Sequence, residues 1–480
     1  MKPPHSLLRA MIFITGLVCT SMATATTGYF ALGYGAKAMG LAGAVVSNPQ
    51  DSIAASTNPA GMALVGERAD LSLRFFSPIR EAEISTSALG ATFDVEAKSR
   101  RNMFLIPNLG YTSKVNDRLY WGISVYGNGG MNTTYDRNLY DQSSAVLGAF
   151  AQGGAGAAAT VPEGTTTPLL ASAGQIPSAS SQVGTVGVDL SQAIFAPTIS
   201  MQVNNTHTVG ASLLIGVQRF SARGLGNFQC LTSSVQADFG SNPSCAFGVA
   251  DIPSTGLTDN GADWSYGAGV RVGWIGKITP SLTVGAAAAS KIYMTEFDDY
   301  NELFAEQGDF DIPASYAIGV TFKATPKLNL SFDLHGILYE GVKSISNAGP
   351  VPSLVGPVPG PGSGPLGADN GLGFGWEDIN IYRIAGEYMY DSKWTFRAGF
   401  AVNDQPIPDS QVLFNILAPA VIEKHATVGF TYKPDNSSEW NFAYMHAFEE
   451  TVSTSVSAFG IPASIEMYQN SVDLSYSLLF

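Results

Sequence analysis

The sequence predicts an all-β fold: a transmembrane antiparallel β-barrel of about 14 strands with an N-terminal hatch, or plug, inside its lumen. Charged residues make up only 13% of the 480 residues, whereas Gly (52), Tyr (19) and Phe (26) are plentiful. No apolar run beyond the N-terminus approaches the roughly 18 residues that a membrane-spanning helix needs. From Asp70 onward, segments of alternating polar and apolar residues recur. The connections between these segments alternate between short and long, which is typical of outer-membrane barrels.

The N-terminus has the layout of a signal peptide. Lys2 and Arg9 form a positive region, Ala10–Val18 an apolar core, and Ala23-Thr24-Ala25 a small-residue cleavage site. We therefore expect residues 1–25 to be removed during export to the outer membrane of a Gram-negative bacterium.

Export places two cysteines, Cys230 and Cys245, in an oxidising compartment. Their separation suits a disulfide that closes part of one loop. A metal site is disfavoured because no His and no second Cys pair lies nearby. We expect a disulfide here and assign no metal ligand.

Residues 26–66 are rich in Gly and Ala and are interrupted by Pro49 and Pro59. About forty residues of this kind have too little apolar mass to bury a face of their own. Their low charge is nevertheless unlike that of a disordered tail. The composition predicts a hatch at residues 26–66 that fits inside a barrel formed by residues 67–480, with long loops at 131–191, 221–262 and 342–377.

The alternating pattern predicts fourteen strands, an even number as in single-chain bacterial barrels. The short connections between them contain the Asn, Asp, Pro and Ser residues that tight turns favour, and the first long connection is Ile79–Arg100. The predicted strands are Asp70–Arg80, Asn102–Lys114, Arg118–Gly130, Gln192–Val203, His207–Phe220, Asp263–Gly276, Ser281–Glu296, Ile312–Lys323, Lys327–Gly341, Asp378–Tyr390, Lys393–Asn403, Ile422–Lys433, Glu439–Glu449 and Tyr468–Phe480.

The last predicted strand has Val472, Leu474, Tyr476, Leu478 and Phe480 on one face and polar residues on the other. An apolar face that ends in an aromatic residue is what a lipid-facing closing strand needs. We expect this strand to contact outer-membrane lipids and to be recognised by the barrel-assembly machinery. A soluble β-sandwich would have no reason to sort its loops by length.

The net charge of −14 disfavours a nucleic-acid partner, since no basic stripe is present to meet phosphates. The chain has no G-x-S-x-G, H-E-x-x-H or P-loop motif. We therefore predict no enzyme activity, no catalytic residues and no cofactor. A lipid hydrolase whose triad forms only in space is a remaining alternative. A general porin is another, although the hatch argues against an open lumen.

Several short motifs occur in a characteristic order along the chain. Asn58-Pro59-Ala60 follows the Gly/Ala-rich segment and is the most specific. The others are Ile106-Pro107-Asn108, Asp311-Ile312-Pro313, Trp376-Glu377-Asp378, Tyr382-Arg383-Ile384-Ala385, Trp394-Thr395-Phe396-Arg397-Ala398-Gly399, Tyr444-Met445-His446 and the terminal Phe480.

With this order of motifs, the chain resembles the FadL family of outer-membrane transporters, which carry long-chain fatty acids or aromatic hydrocarbons. The resemblance covers nearly the whole mature chain. It implies a monomeric barrel, passive uptake of a hydrophobic ligand through long external loops, and a ligand-induced rearrangement of the hatch. Long-chain fatty acids are the first expectation, and neutral aromatic or aliphatic hydrocarbons are the alternative.

The resemblance also suggests substrate-binding residues. Arg219 corresponds to a basic ligand contact in the family, but it could instead be a rim arginine or the partner of a loop acid. Glu377 stands where family members often have a basic residue, and its carboxylate would repel a fatty acid. Phe220 and Phe374 could line an apolar conduit, although a lipid-facing position is an alternative for each.

Two glycine-containing stretches are candidate gates. Family members have a kinked third strand with a lateral opening, and here Gly127, Gly129 and Gly130 would permit such a break. The alternative is an ordinary glycine-rich strand end. Asn58-Pro59-Ala60 would be the hinge between hatch and barrel. Replacing that tripeptide is predicted to alter uptake while leaving the barrel folded.

Overall fold

The computed structural model describes residues 27–88, 91–140, 184–237, 255–350, 362–454 and 462–480. The predicted signal peptide at residues 1–25 lies outside this part of the chain. The predicted disulfide also lies outside it, because Cys245 is not among the described residues. Within the described ranges, no helix is long and apolar enough to cross a membrane.

The described residues contain sixteen β-strands. They are β1 Arg68–Ala88, β2 Ala91–Lys98, β3 Phe104–Lys114, β4 Leu119–Asn132, β5 Gly187–Gln202, β6 His207–Arg223, β7 Asp263–Thr279, β8 Leu282–Ala289, β9 Tyr293–Met294, β10 Ala314–Thr325, β11 Leu328–Leu338, β12 Ile379–Met389, β13 Trp394–Asn403, β14 Lys424–Tyr432, β15 Ser438–Ser453 and β16 Ala463–Leu479.

Fourteen of these strands, all except β2 and β9, form one closed antiparallel barrel. Each barrel strand pairs with the next barrel strand along the chain. β16 closes the barrel by pairing with β1, from Leu479 opposite Arg68 to Ala463 opposite Ile84. The predicted fold class is confirmed, and each of the fourteen predicted strands overlaps a barrel strand.

The first predicted loop, Ile79–Arg100, is instead a hairpin. β1 continues to Ala88 and β2 returns alongside it, with Ala82 facing Ala97 and Ile84 facing Val95. All four of these side chains are buried. The prediction of a loop here was wrong, because the polar and apolar residues of this stretch alternate as in a strand.

The predicted strand Ser281–Glu296 is also divided in the structure. β8 ends at Ala289, and the chain pairs with β7 again only at the two residues of β9. Between them, Ser290 N–H donates to the carbonyl of Val270, so the two parts remain next to the same strand.

The outer surface of the barrel is apolar, as a lipid-facing surface must be. On β10, for example, Tyr316, Ile318, Val320 and Phe322 are exposed, whereas the alternate residue Ala317 is buried. Because successive side chains of a strand point to opposite faces, the lumen receives the other half of each strand. That half is largely small or polar.

Residues 27–66 lie inside the barrel and are almost entirely buried. They form a short helix at Ala36–Gly40 and 3₁₀ turns at Ala54–Ser56 and Pro59–Leu64. Asn58 begins the last turn, because its side chain accepts a hydrogen bond from Ala60 N–H while Pro59 occupies the first position. The segment makes contacts with strands on several sides of the lumen.

Lumen-facing glycines allow the hatch to pack directly against the strand backbones. A Cβ on Gly210 would lie 2.4 Å from the carbonyl carbon of Pro59, and a Cβ on Gly285 would lie 2.4 Å from the carbonyl oxygen of Val46. No side chain fits at these distances. Small residues on both the strands and the hatch are therefore required for the plugged lumen.

We expect Gly210→Val to displace the Pro59 turn of the hatch. Overpacking of this kind costs about 1–3 kcal/mol, so the lumen should become leakier to small solutes in liposome-swelling measurements. Gly386→Val is the matched control, because a Cβ there meets only Leu330, at 3.7 Å. Equal swelling by the two folded variants would contradict the close fit at Gly210.

Candidate ligand route and hatch

The hatch is fixed to the barrel by polar contacts. Val46 N–H donates to Asp333 Oδ2 at 2.9 Å, and Ala42 N–H donates to Thr427 Oγ1 at 3.1 Å. In the reverse direction, Arg383 Nη1 donates to the carbonyl of Gly43 at 3.2 Å. The hatch has little regular secondary structure, so lumen side chains satisfy backbone groups that would otherwise be buried without partners.

A buried ionic cluster connects the hatch helix to the barrel wall. Lys37 pairs with Glu439, which also lies 3.0 Å from Arg68 Nη2. Arg68 in turn pairs with Asp70 at 2.8 Å, and Asp70 accepts a hydrogen bond from Ser52 N–H of the hatch. Removing one member of such a buried network leaves another charge uncompensated, which costs about 3–5 kcal/mol.

Two buried hatch groups, Lys37 of this cluster and the neighbouring Asp51, have shifted pKa values. Burial lowers the pKa of Lys37, and the neighbouring Arg68 charge lowers it further. Burial, followed by the Asp70 carboxylate, raises the pKa of Asp51 to about 6. A raised carboxyl pKa contributes stability at low pH that is lost as the pH rises through about 6. Burial of Asp51 therefore weakens hatch docking at neutral pH.

Asn58 joins three parts of the molecule. Its Nδ2 donates to the carbonyl of Val46 at 2.9 Å within the hatch and to the carbonyl of Trp274 on β7 at 3.1 Å. Its Oδ1 accepts from Ala60 N–H at 3.1 Å. The predicted hinge tripeptide thus begins a capped turn bonded to the wall, eight residues before Gly66 and close to the start of β1.

The barrel wall has a seam between β3 and β4. These strands pair only from Leu109–Val125 to Lys114–Tyr120. Beyond that point residues 104–108 of β3 pair with β1 alone, and residues 126–130 of β4 pair with β5. We call these two edges, which do not pair with each other, the seam.

Within the seam, β4 carries a β-bulge between Gly127 and Gly129, with Asn128 as the extra residue. The hatch occupies the edge that β3 leaves free. Ala31 N–H donates to the carbonyl of Asn128, and Gly130 N–H donates to the carbonyl of Tyr29, both at 3.2 Å. A Cβ on Gly129 would lie 2.0 Å from the Tyr29 carbonyl oxygen, so only glycine permits this approach.

On the long-loop side, the hatch meets a continuous group of aromatic rings, which we call the outer aromatic cluster. Consecutive rings have centroids 4.7–6.4 Å apart, and Tyr29 of the hatch contacts both branches through Phe310 and Tyr339. The cluster consists of Tyr29, Phe30, Tyr140, Phe220, Phe228, Phe297, Tyr300, Phe304, Phe310, Tyr339, Phe374, Phe414 and Trp376.

The space beside the hatch helix is small in this conformation. A cavity of about 50 Å³ lies beside Tyr34 of the hatch and is lined by Arg271, His335 and Arg383 among others. Sites for small molecules are usually about 300–1,000 Å³. A ligand of ordinary size therefore fits beside Tyr34 only if the hatch moves, whereas a larger cavity of about 470 Å³ lies at the short-turn end beside Ser47 and Asn48.

The structure brings two of the four predicted substrate-binding residues together. Phe220 and Phe374 are both buried in the outer aromatic cluster, and Phe374 stacks on Phe414 with ring centroids 5.0 Å apart. Arg219 alternates with the lumen-facing residues of β6 and so lies on the outer face of that strand. Its side chain is 32% exposed and pairs with Asp189 at 3.3 Å. Glu377 is exposed and does not line the cluster.

Sequence reasoning missed the residues that connect the cluster to the hatch. Tyr29, Tyr339 and Trp376 come from three distant segments, and Tyr339 Oη donates to the carbonyl of Thr27 at 2.9 Å. Trp376 entered the prediction only as part of a motif. The motif placed Trp376 beside Glu377. The motif alone does not show that the Trp376 side chain is buried whereas that of Glu377 is exposed.

A family model described as outer membrane protein transport protein (OMPP1/FadL/TodX) matches residues 17–150 and 149–471 of this chain. The chain belongs to this family. The predicted family and outer-membrane location are thereby confirmed, and the barrel is that of a transporter of hydrophobic compounds. Comparison with curated proteins finds no match.

Solved structures of family members have the same fold at low sequence identity. The toluene transporter TodX of P. putida is 17% identical, with a TM-score of 0.62 over 94% of this chain and 99% of TodX. The Ralstonia pickettii toluene transporter TbuX is 18% identical, with a TM-score of 0.58 over the same shares. A Pseudomonas aeruginosa FadL homologue is 15% identical, with a TM-score of 0.61 and 94% and 99% coverage.

Proposed function

We propose that this FadL-family protein is a channel for the passive uptake of hydrophobic molecules, opened by ligand-induced movement of its hatch. The observation that carries the proposal is the continuity of the outer aromatic cluster with Tyr29, a hatch residue that also bonds to the seam. An apolar molecule that enters the cluster reaches the hatch without crossing a polar region. Binding of an apolar molecule in the outer aromatic cluster is thus physically coupled to movement of the hatch.

The seam supplies the exit in this proposal. The hatch replaces β3 as the partner of β4 there through the hydrogen bonds of Ala31 and Gly130. Such bonds contribute only about 0.5–1.5 kcal/mol each in net terms, which is within the range of a ligand's binding energy. Movement of residues 29–31 would free the seam and let an apolar molecule leave sideways, without passing through the polar lumen.

Long-chain fatty acids are the proposed ligands, as the family resemblance implies. Neutral hydrocarbons are the second candidate, because Arg219 is already paired with Asp189 and Glu377 is exposed. Neither residue therefore provides a free cation for a carboxylate. Two structural neighbours, TodX and TbuX, are named as toluene transporters.

The test is uptake by a strain that lacks this protein, with and without the gene restored on a plasmid. Radiolabelled oleate and toluene would be supplied separately, and initial uptake rates would be measured. We expect restoration to raise the uptake rate of at least one apolar compound. Unchanged rates for both compounds, or free passage of small sugars in liposome swelling, would contradict the proposal.

A further inference from the structure

Arg80 lies on the lumen face of β1 and is 4% exposed. The same face carries Arg68 and Arg74, so three arginines follow one another at intervals of six residues. A strand rises about 3.3 Å per residue, which places Arg80 toward the long-loop end and Arg68 toward the short-turn end. The three environments can therefore be compared directly.

The first two arginines each hold a carboxylate with the same edge of the guanidinium. Arg68 donates from Nε and Nη2 to Asp70 at 2.9 and 2.8 Å. Arg74 donates from Nε and Nη2 to Asp473, at 2.8 Å in both cases. This two-pronged edge matches the geometry of a carboxylate.

Arg80 presents that edge without an acceptor. Among the described residues, no atom accepts a hydrogen bond from its Nε or Nη2, although both are buried. Within the part of the chain that the structure describes, its side chain makes one hydrogen bond, from Nη1 to the carbonyl of Asn132 at the end of β4. The β16 residue opposite Arg80 is Met467, whereas the residue opposite Arg74 is Asp473.

A buried guanidinium with an unpaired edge is costly, because its charge is removed from water without compensation. Its neighbours include the ring of Phe104, whose centroid is 5.9 Å from Arg80 Cζ. No described carboxylate lies within 4 Å of Arg80. The edge has the chemistry to bind an anion that the protein itself does not supply.

A small cavity beside Arg80 connects it to the ligand route. Its volume is about 10 Å³, and its walls include Phe76, Met131, Met467 and Tyr29. Tyr29 also belongs to the outer aromatic cluster and the hatch. An apolar tail in the cluster would thus place an attached head group near Arg80. The cavity has room for about one water molecule. A carboxylate can therefore enter only if a lining side chain moves. Of the lining residues, Tyr29 belongs to the hatch.

We propose that Arg80 binds the carboxylate of an apolar acid whose tail lies in the outer aromatic cluster. This inference rests on the proposed function and specifies its substrate class. Neutral hydrocarbons have no group for the Arg80 edge and would not gain from it. Binding at Arg80 pushes on Tyr29 and so couples recognition of the head group to hatch movement.

The experiment compares binding of a C16 carboxylate, its methyl ester and toluene to purified full-length protein. The variants are Arg80→Gln, Arg80→Lys and, as the matched control, Lys424→Gln, which removes an exposed cation already paired with Glu450. Wild type should bind the carboxylate about 10- to 100-fold more tightly than the ester, as for a hydrogen-bonded charge. Arg80→Gln should lose this preference, Arg80→Lys should keep part of it, and Lys424→Gln should keep all of it.

The outcomes separate this inference from the proposed function. If wild type binds none of the three compounds, the proposed function fails. If wild type binds the ester as tightly as the carboxylate, or if Arg80→Gln keeps the preference, the Arg80 assignment is wrong while hydrophobic uptake stands. Heat-modified mobility on gels would verify that each variant is a folded barrel. A structural role alone would lower the affinity for ester and carboxylate equally.

Discussion

A variant with Ser47→Cys and Thr321→Cys is expected to lose uptake when oxidised and to regain it when reduced. Ser47 belongs to the hatch and Thr321 to β10, and their hydroxyl oxygens lie 2.7 Å apart. Side chains that meet this closely can be joined by a disulfide without large backbone movement. The bond would hold the middle of the hatch against the wall. Blocking a gating motion should reduce the uptake rate at least about tenfold.

The two single cysteine variants are the controls for this engineered disulfide. Each single cysteine variant should transport equally under oxidising and reducing conditions. All variants would be made with Cys230 and Cys245 replaced by Ser, so that any effect of oxidation on uptake comes from the engineered disulfide. Full uptake by a completely cross-linked barrel would show that the hatch does not move as a unit.

Deletion of Asn128 is expected to reduce uptake at least about tenfold by closing the seam. A β-bulge arises from one extra residue, so its removal restores regular alternation along β4. The continued strand could then pair with residues 104–108 of β3, whose edge is free in the described structure. Initial uptake rates in a strain producing the variant would measure the effect.

Asn128→Ala separates the bulge from the side chain. Asn128 Nδ2 donates to Gln192 Oε1 at 3.1 Å, and its Oδ1 accepts from Tyr34 Oη at 3.3 Å. The alanine variant loses these side-chain bonds but keeps the extra residue and should retain most of its uptake. If the deletion variant folds and transports normally, the seam is not the exit.

The hatch combines close packing with polar attachment. Glycines such as Gly210 let its backbone approach the wall, while residues such as Asn58 and Asp333 bond it there. Hydrogen bonds exchange with water more readily than apolar contacts, since each contributes only about 1 kcal/mol net. A plug held in this way can be released without unfolding the barrel, whose strands are held by continuous ladders.

Much of this architecture follows from the sequence because it depends on local patterns. The period-two alternation along strands such as Tyr468–Phe480 predicts their lipid-facing side. The Gly- and Ala-rich composition of residues 26–66 predicts a segment that cannot fold alone. Short turns between long loops predict the orientation of the barrel. Each of these properties is contained within a few tens of residues.

The partners of individual side chains were decided only by the tertiary structure. Arg219 and Arg80 both lie in the outer halves of their strands, yet Arg219 pairs with Asp189 while Arg80 has no described carboxylate. The difference at Arg80 comes from the register of β1 against β16, which places Met467 opposite it. That register joins residues almost four hundred positions apart, so no local pattern encodes it. The same reason explains why the outer aromatic cluster, built from distant loops and the hatch, became visible only in the folded chain.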